Sequence, residues 1–157
     1  SSAASDVYKR QVNEILSDVW SRLYPYADYT NLRIMIEENG QKAGDYVLQL
    51  RTRRGWVNVD GIASGGERSL ASIALRVAFA KAMSKLGILL LDEPTHNLDA
   101  KAVEDLAETL RSRIKDFVDQ VFLITHNERL EEAVSGTLYR LERDKEKGGV
   151  TKVTLLS

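Results

Sequence analysis

The chain contains no cysteine, only two prolines and two histidines, and no Gly-Lys pair anywhere in its 157 residues. Without cysteine there is no disulfide framework and no thiolate metal site, which suits a reducing compartment. No apolar run approaches the roughly 20 residues that span a bilayer. The first residues, Ser1-Ser2-Ala3-Ala4-Ser5, have neither the basic start nor the apolar core of a secretion signal. An intracellular protein with no membrane partner is therefore expected, cytoplasmic or nucleoid-associated, or nuclear in a eukaryote. A net charge of −1 excludes a global pull toward nucleic acid, so any such contact needs a local patch. The missing Gly-Lys pair excludes a Gly-x-x-x-x-Gly-Lys-Ser/Thr loop, in which backbone amides and a lysine cradle phosphates. The nearest approach is Gly61 to Gly66, but Glu67-Arg68 follows and puts an acid in the lysine's place.

What is present is ordinary for one globular domain with a real core: 43% hydrophobic and 29% charged residues. The organising stretch is Ile88-Leu89-Leu90-Leu91-Asp92-Glu93-Pro94-Thr95-His96-Asn97-Leu98-Asp99. Four apolar residues running into two carboxylates and a proline predict a strand buried on both faces that stops at chemistry. Open parallel sheets place their sites beyond the carboxyl ends of their strands. This is the Walker B pattern of a P-loop ATPase. Asp92 stands where a carboxylate holds Mg²⁺, directly or through a water, and Glu93 where one polarises the attacking water. Paired acids after an apolar strand are costly to bury without a cation. Asp99, just before Ala100-Lys101-Ala102-Val103, also suits the N-cap of the next helix.

Along the chain, Tyr8, Val12, Ile15, Leu16, Val19, Trp20 and Leu23 recur at steps of three and four, predicting an amphipathic helix over 6–24 that Tyr24-Pro25-Tyr26 ends. Such a helix packs on its own sheet or roots a coiled coil, and about two heptads leave both readings open. Residues 31–37 and 45–54 read as β-type runs around a polar, glycine-containing loop at 38–44, with Trp56 and Val57 continuing the sheet after a turn at Gly55. Alternation puts Leu48, Leu50 and Thr52 on one face and Gln49, Arg51 and Arg53 on the other. Arg51, Arg53 and Arg54 make the densest basic cluster, either a solvated strand face or a phosphate-contacting patch. Ser64-Gly65-Gly66 opens an alanine-rich helix; its exposed amides and the helix dipole favour an anion, although a plain N-cap serine would look the same. Val103, Leu106, Ala107, Leu110, Ile114 and Phe117 form a helical stripe after Asp99. Val121-Phe122-Leu123-Ile124 reads as a second buried strand, ending in Thr125-His126-Asn127. Its end should lie on the same sheet edge as Asp92, where His126 would reach a γ-phosphate or orient the water. His96 has weaker claims. Two closing strands are expected at 137–143 and 150–156 around a charged turn.

The chain thus carries a signature-like turn, a Walker B strand, a D-loop and a strand-end histidine but no phosphate cradle, as if it were half of an ATPase. That split arrangement resembles the SMC-like ATPases, whose cradle lies at one end of a long chain and whose other motifs lie at the far end, with a coiled coil between. Ala63-Ser64-Gly65-Gly66-Glu67-Arg68-Ser69, Asp92 through Asp99 and His126 most resemble the DNA double-strand-break repair branch, the Rad-fifty family. The likeness covers 61–126 through its motifs and the flanks through the order of elements. Ala63 departs from it, since leucine is more usual there. The resemblance implies an α/β fold: the C-terminal lobe of an ABC-type head, a mostly parallel sheet flanked by helices, with an N-terminal helix and β-hairpin. It makes 1–157 a single domain, with a coiled-coil root at 1–25 and the motifs at 61–135. It further implies that two heads sandwich two ATP molecules. Ser64, Gly65, Gly66 and Glu67 would contact nucleotide held by the opposite head, Asp92 would bind Mg²⁺, Glu93 would activate water and His126 would sense the γ-phosphate. Asn97, Leu98 and Asp99 would couple the two sites, and Arg76 would relay head engagement toward the coiled coil. The implied partners are the N-terminal half carrying Walker A, a second head, an Mre-eleven-type nuclease and double-stranded DNA. The alternatives are the half of another SMC-family chromosome ATPase or an ABC transporter-type nucleotide-binding subunit; the latter should carry its cradle upstream in the same domain, where this chain has a helix and a hairpin.

Overall fold

The amphipathic stripe near the N-terminus folds as α1 (Ala3–Leu23) in the structure, a computed structural model that describes residues 3–37, 44–83, 87–133, 135–146 and 148–157. Val12, Leu16, Val19, Trp20 and Leu23 are buried, while Val7 and Tyr8 nearer its start stay exposed. Most of the helix therefore packs on the domain's own elements, as one of the two readings had it. Asn13 fastens it to a strand edge: its side chain donates to Ile34 O at 3.0 Å and accepts from Ile34 N at 2.8 Å, so a backbone pair that no strand reaches is satisfied. At the helix end, Trp20 stacks on Tyr24 with centroids 4.8 Å apart and donates from Nε1 to Tyr29 O at 2.9 Å, turning the chain into the first sheet.

That sheet contains β1 (Asn31–Glu37), β2 (Asp45–Thr52) and β3 (Gly55–Asn58), antiparallel in sequence order, with Leu32 opposite Leu50 and Leu50 opposite Val57 on the inner face. The second β-type run is shorter than expected, because Arg53 and Arg54 form the turn into β3 and Gly55 follows at φ +129°. Most of the anticipated loop at 38–44 lies outside the described residues. A short helix α2 (Val59–Ile62) leads to α3 (Gly65–Met83), whose Leu70, Ala71, Ile73, Ala74, Val77 and Ala78 are buried. The small alanines let α1 and neighbouring elements approach closely on both sides.

The site-bearing unit is a single crossover: β4 (Ile88–Asp92), α4 (Ala100–Glu108) and β5 (Gln120–Ile124). The two strands are parallel, with Ile88 opposite Gln120 and Asp92 opposite Ile124. The stripe from Val103 to Phe117 is buried throughout. The helix changes pitch on the way, to a π turn at Thr109–Arg113 and a 3-10 turn at Ile114–Asp116. Then come α5 (Glu128–Ala133) and the antiparallel pair β6 (Tyr139–Glu142) and β7 (Lys152–Leu155).

Two expectations are corrected here. The sheet is not mostly parallel: β4 and β5 are the one parallel pair among the described strands, and the other five strands pair antiparallel in two separate sheets. The physical reason is connectivity, since the chain makes one helical crossover and otherwise turns back locally. Nor are β4 and β5 buried on both faces. Leu89 and Leu91 face the core, whereas Ile88 (47%), Leu90 (59%), Phe122 (49%) and Ile124 (53%) are half exposed on a common outer face. Helices cover one side of this pair, and no described residue covers the other.

Candidate functional site

At the carboxyl end of β4 the ladder runs one step further, with Glu93 N donating to Ile124 O at 2.8 Å, and then the backbone turns sharply: Glu93 sits at φ +46° and Asn97 at φ +61°. A left-handed backbone at a glutamate costs about 1 kcal/mol or more, and such strain gathers at functional sites. The turn swings the Glu93 side chain toward the end of β5, where His126 Nδ1 donates to Glu93 Oε1 at 2.8 Å. The expected juxtaposition of the two strand ends is therefore real. The His126 ring is 87% exposed, whereas Glu93 Oε2 is enclosed and has no hydrogen-bond partner among the described residues. An enclosed, unpartnered carboxylate oxygen is unusual and costly. Asp92 is exposed at the strand terminus. His96 is exposed in the following loop, where its backbone N donates to Glu93 O at 3.3 Å and its side chain makes no contact with the Glu93–His126 pair among the hydrogen bonds and ion pairs of the described residues.

The signature-like turn is a capping box: Ser64 Oγ accepts from Glu67 N at 3.4 Å, and Glu67 Oε2 accepts from Ser64 N at 2.6 Å. Ser64 Oγ is the acceptor there, so its hydroxyl hydrogen remains to be donated elsewhere. Glu67, expected at a nucleotide, is committed locally, and the Ser-x-x-Glu spacing was the signal for that role. Tyr24 Oη lies between this carboxylate and Asp28, 3.5 Å from Glu67 Oε1 and 3.0 Å from Asp28. Burial first, then the Asp28 hydrogen bond and the charge of Glu67, push the Tyr24 phenol far above its usual 10.0. Arg68, which the sequence did not single out, holds the chain entering the turn by donating from Nε to Ala63 O at 3.0 Å.

The two glycines also have a packing role. A Cβ on Gly65 would come within 3.0 Å of Asn97 O and 3.3 Å of Leu98 Cδ2, and one on Gly66 within 2.9 Å of Ala102 Cβ. Their bareness lets the start of α3 lie against the D-loop and the first turn of α4, which Asp99 caps by accepting from Ala102 N at 2.8 Å. Ser64, Gly65, Gly66 and Glu67 thus meet Asn97 and Asp99 on the wall of one open cavity of about 630 Å³. Asp92, Glu93 and His126 do not line that cavity. The predicted residues therefore form two groups, joined where Ser69 Oγ donates to Pro94 O at 3.0 Å. Arg76, on the exposed side of α3, is brought to neither.

As to a metal, no group of three or more His, Asp or Glu side chains among the described residues could hold one. Mg²⁺ usually takes only one or two protein carboxylates, with waters and substrate phosphates completing its shell. A single exposed Asp92 at the strand terminus fits that donor set.

Residues 7–148 match the family described as the RecF/RecN/SMC N terminal domain. The chain is 34% identical over 150 residues to the DNA double-strand break repair Rad50 ATPase of Sulfurisphaera tokodaii, covering 95% of this chain and 16% of that protein. It is 32% identical over 147 residues to the DNA repair protein rad50 of Schizosaccharomyces pombe, covering 85% of this chain and 11% of that one. Its fold matches, with a TM-score of 0.68 at 19% identity, a chain from structural work on ATP-driven dimerization and DNA-stimulated activation of SMC ATPases, covering 98% of this chain and 88% of that chain. The mixed α/β fold is thus that of SMC heads. The chain spans between about a tenth and a sixth of the length of the curated relatives named above.

Proposed function

Because this chain belongs to the RecF/RecN/SMC N-terminal domain family, we propose that it is the C-terminal half of a split ATPase head of the double-strand-break repair kind. It becomes active when the half carrying the Walker A loop completes it. The observation that carries the reading is the pairing of a strained Glu93 with His126 at 2.8 Å on the edge of a parallel pair whose outer apolar face is bare, in a chain without a phosphate cradle. Chemistry is assembled at one end of β4 and β5, and the surface that would seat a cradle-bearing sheet lies open beside it.

In the completed head, Asp92 supplies the carboxylate that holds Mg²⁺. Bound Mg²⁺ would neutralise charge on the transferring phosphate. Glu93 accepts the proton of the attacking water at Oε1, the oxygen that His126 occupies in the resting arrangement, because Oε2 is enclosed. His126, exposed and held by that one contact, turns its N–H toward a γ-phosphate oxygen and frees Oε1 as it does so. Ser64, Gly65 and Gly66 stand apart from this pair on the wall of the open cavity, which suits a phosphate held by a second head. Two such heads closing on ATP, gripping double-stranded DNA and working with a nuclease of the Mre-eleven type make up the proposed whole.

The test is complementation. The purified chain should hydrolyse no ATP, and adding the cradle-bearing half should restore turnover that depends on Mg²⁺. Turnover by the chain alone, free of contaminants, would sink the split-head reading.

A further inference from the structure

The outer face of the first sheet carries a structure that the ATPase reading leaves unused. Arg33 on β1 lies over Trp56 on β3, with its guanidinium carbon 4.0 Å from the ring centroid, and Arg51 on β2 approaches the same ring at 5.6 Å. Gln49 Oε1 accepts from both Nε and Nη2 of Arg33, at 3.0 and 2.8 Å, while Gln49 Nε2 donates to Asn58 Oδ1 at 3.0 Å. The register makes this one ladder, Arg33 opposite Gln49 opposite Asn58, with Asn31, Arg51 and Trp56 in the neighbouring row. The ring beneath it and the two bonds to Gln49 hold Arg33 in place and leave its Nη1 without a hydrogen-bond partner among the described residues, ready to donate outward.

No acid answers these charges. Arg33, Arg51, Arg53 and Arg54 form no ion pair with a described residue. Burial, and after it the charge of Arg51, hold the Arg33 guanidinium below its usual pKa, as expected of neighbouring cations without a counter-charge. The acids on this face, Glu37 and Asp45, stand opposite each other at the far end of the β1–β2 ladder and form no ion pair with these arginines. Beyond Arg51 the face runs into the exposed Arg53–Arg54 turn. Asp28, which shares an inner-side cavity wall with Arg53 and Arg54, is already engaged, accepting from Tyr24 Oη and Tyr29 N.

We propose that this face, from Arg33 and Trp56 through Arg51 to the Arg53–Arg54 turn, is a contact surface for the phosphate backbone of double-stranded nucleic acid. A run of cations on a chain of net charge −1 complements a continuous polyanion. A preorganised arginine fork suits phosphodiester oxygens, and neutral amides beside it add sequence-independent hydrogen bonds. An acidic peptide would want side-chain pockets, and the Arg33–Trp56–Arg51 rows offer none. The inference rests on the proposed function only in taking DNA as the polyanion.

The test uses the head reconstituted with its cradle-bearing half and a fluorescent DNA duplex of mixed sequence, followed by anisotropy between about 50 and 200 mM salt. Arg51→Ala with Arg53→Ala and Arg54→Ala should weaken binding at least tenfold at the low-salt end. The slope of log affinity against log salt should become shallower by about 2 to 3, since each lost phosphate contact contributes about 0.9. Arg33→Lys, which keeps the charge but loses the fork, should weaken binding less than the triple change. Circular dichroism checks that the variants fold, and hydrolysis measured without DNA should match the parent. An unchanged affinity and slope in the folded triple variant overturns the proposal. So does displacement of the duplex by millimolar inorganic phosphate beyond what chloride of equal ionic strength achieves, which would make the face a small-anion site. Absent hydrolysis in parent and variant alike would count against the split-head reading and leave the anisotropy comparison decisive for this one.

Discussion

Replacing Leu90 tests whether the outer face of the parallel pair is an interface. Fully burying an Ile, Leu or Phe side chain is worth about 1.5–3 kcal/mol. Ile88, Leu90, Phe122 and Ile124 are each about half exposed, at 47%, 59%, 49% and 53%. Covering them should therefore contribute about 1 kcal/mol apiece, or ~3–6 kcal/mol for the four together. Leu90 lies opposite Phe122 in the register, at the middle of this patch. Leu90→Ala should weaken assembly with the cradle-bearing half by ~1 kcal/mol, roughly fivefold in Kd. Leu90→Asp should cost several kcal/mol more, because the new carboxylate would be buried without a partner. Neither change should move the stability of the isolated chain by more than about 0.5 kcal/mol, since the site is open there. Titration calorimetry between the two halves, paired with urea unfolding of each variant alone, separates the two effects. If Leu90→Asp assembles with parental affinity and full turnover, the open face is not where the missing half binds.

The remaining expectations concern the chemistry and the aromatic corner. Glu93→Gln keeps the shape but removes the base, so in the reconstituted head it should lower kcat by about 10²-fold or more while ATP-bound dimers accumulate; near-normal kcat would move the base role elsewhere. Ser64→Arg should leave nucleotide binding by the mutant head intact but block ATP-driven dimerisation, read by light scattering with and without ATP. A mutant that still dimerises and hydrolyses ATP would return Ser64 to a plain N-cap. Tyr24 titrates above its ordinary 10.0 in the folded chain because burial and two carboxylates disfavour the phenolate. The stability this contributes is complete below about pH 10 and is lost as pH rises beyond it, since the unfolded chain then releases a proton that the folded chain keeps. Urea unfolding across about pH 9–11 should show a steeper alkaline loss for the parent than for Tyr24→Phe, and equal slopes would refute the assignment.

Much of this was legible in the residues. The stripe after Asp99 located its buried face down to Phe117, because helical spacing survives the change to π and 3-10 pitch within one element's tolerance. Asp99 and Ser64 both cap helices, a property of residue type and local position. The meeting of Glu93 and His126 followed from the rule that parallel strands end on a common edge. What local pattern could not reveal was which strand face this chain's own elements cover and which they leave open. A run such as Ile88-Leu89-Leu90-Leu91 looks the same whether a second layer comes from the same polypeptide or a partner. For the same reason one parallel pair was taken for part of a larger parallel sheet. The glycines were ambiguous in another way: Gly65 and Gly66 suit an anion-binding turn, and only tertiary placement reveals Asn97 and Ala102 where side chains would go.

That second role bears on how the two groups of site residues can act together. Gly66 abuts Ala102, Gly65 abuts the Asn97 carbonyl, and Ser69 holds the Pro94 carbonyl, so the start of α3 touches the loop at two points and the first turn of α4 at one. Pro94 directly follows Glu93, whose left-handed backbone has a narrow range of allowed φ and ψ. Thr95 is buried and Leu98 N is bonded to Thr95 O at 3.1 Å, so the loop between the two groups is itself held. A displacement of α3 that broke the Ser69–Pro94 bond would act on the residue next to Glu93, whose contact with His126 is 2.8 Å. Ser69→Ala should therefore lower kcat of the reconstituted head while leaving the fold intact, and an unchanged kcat would show that the two groups act independently.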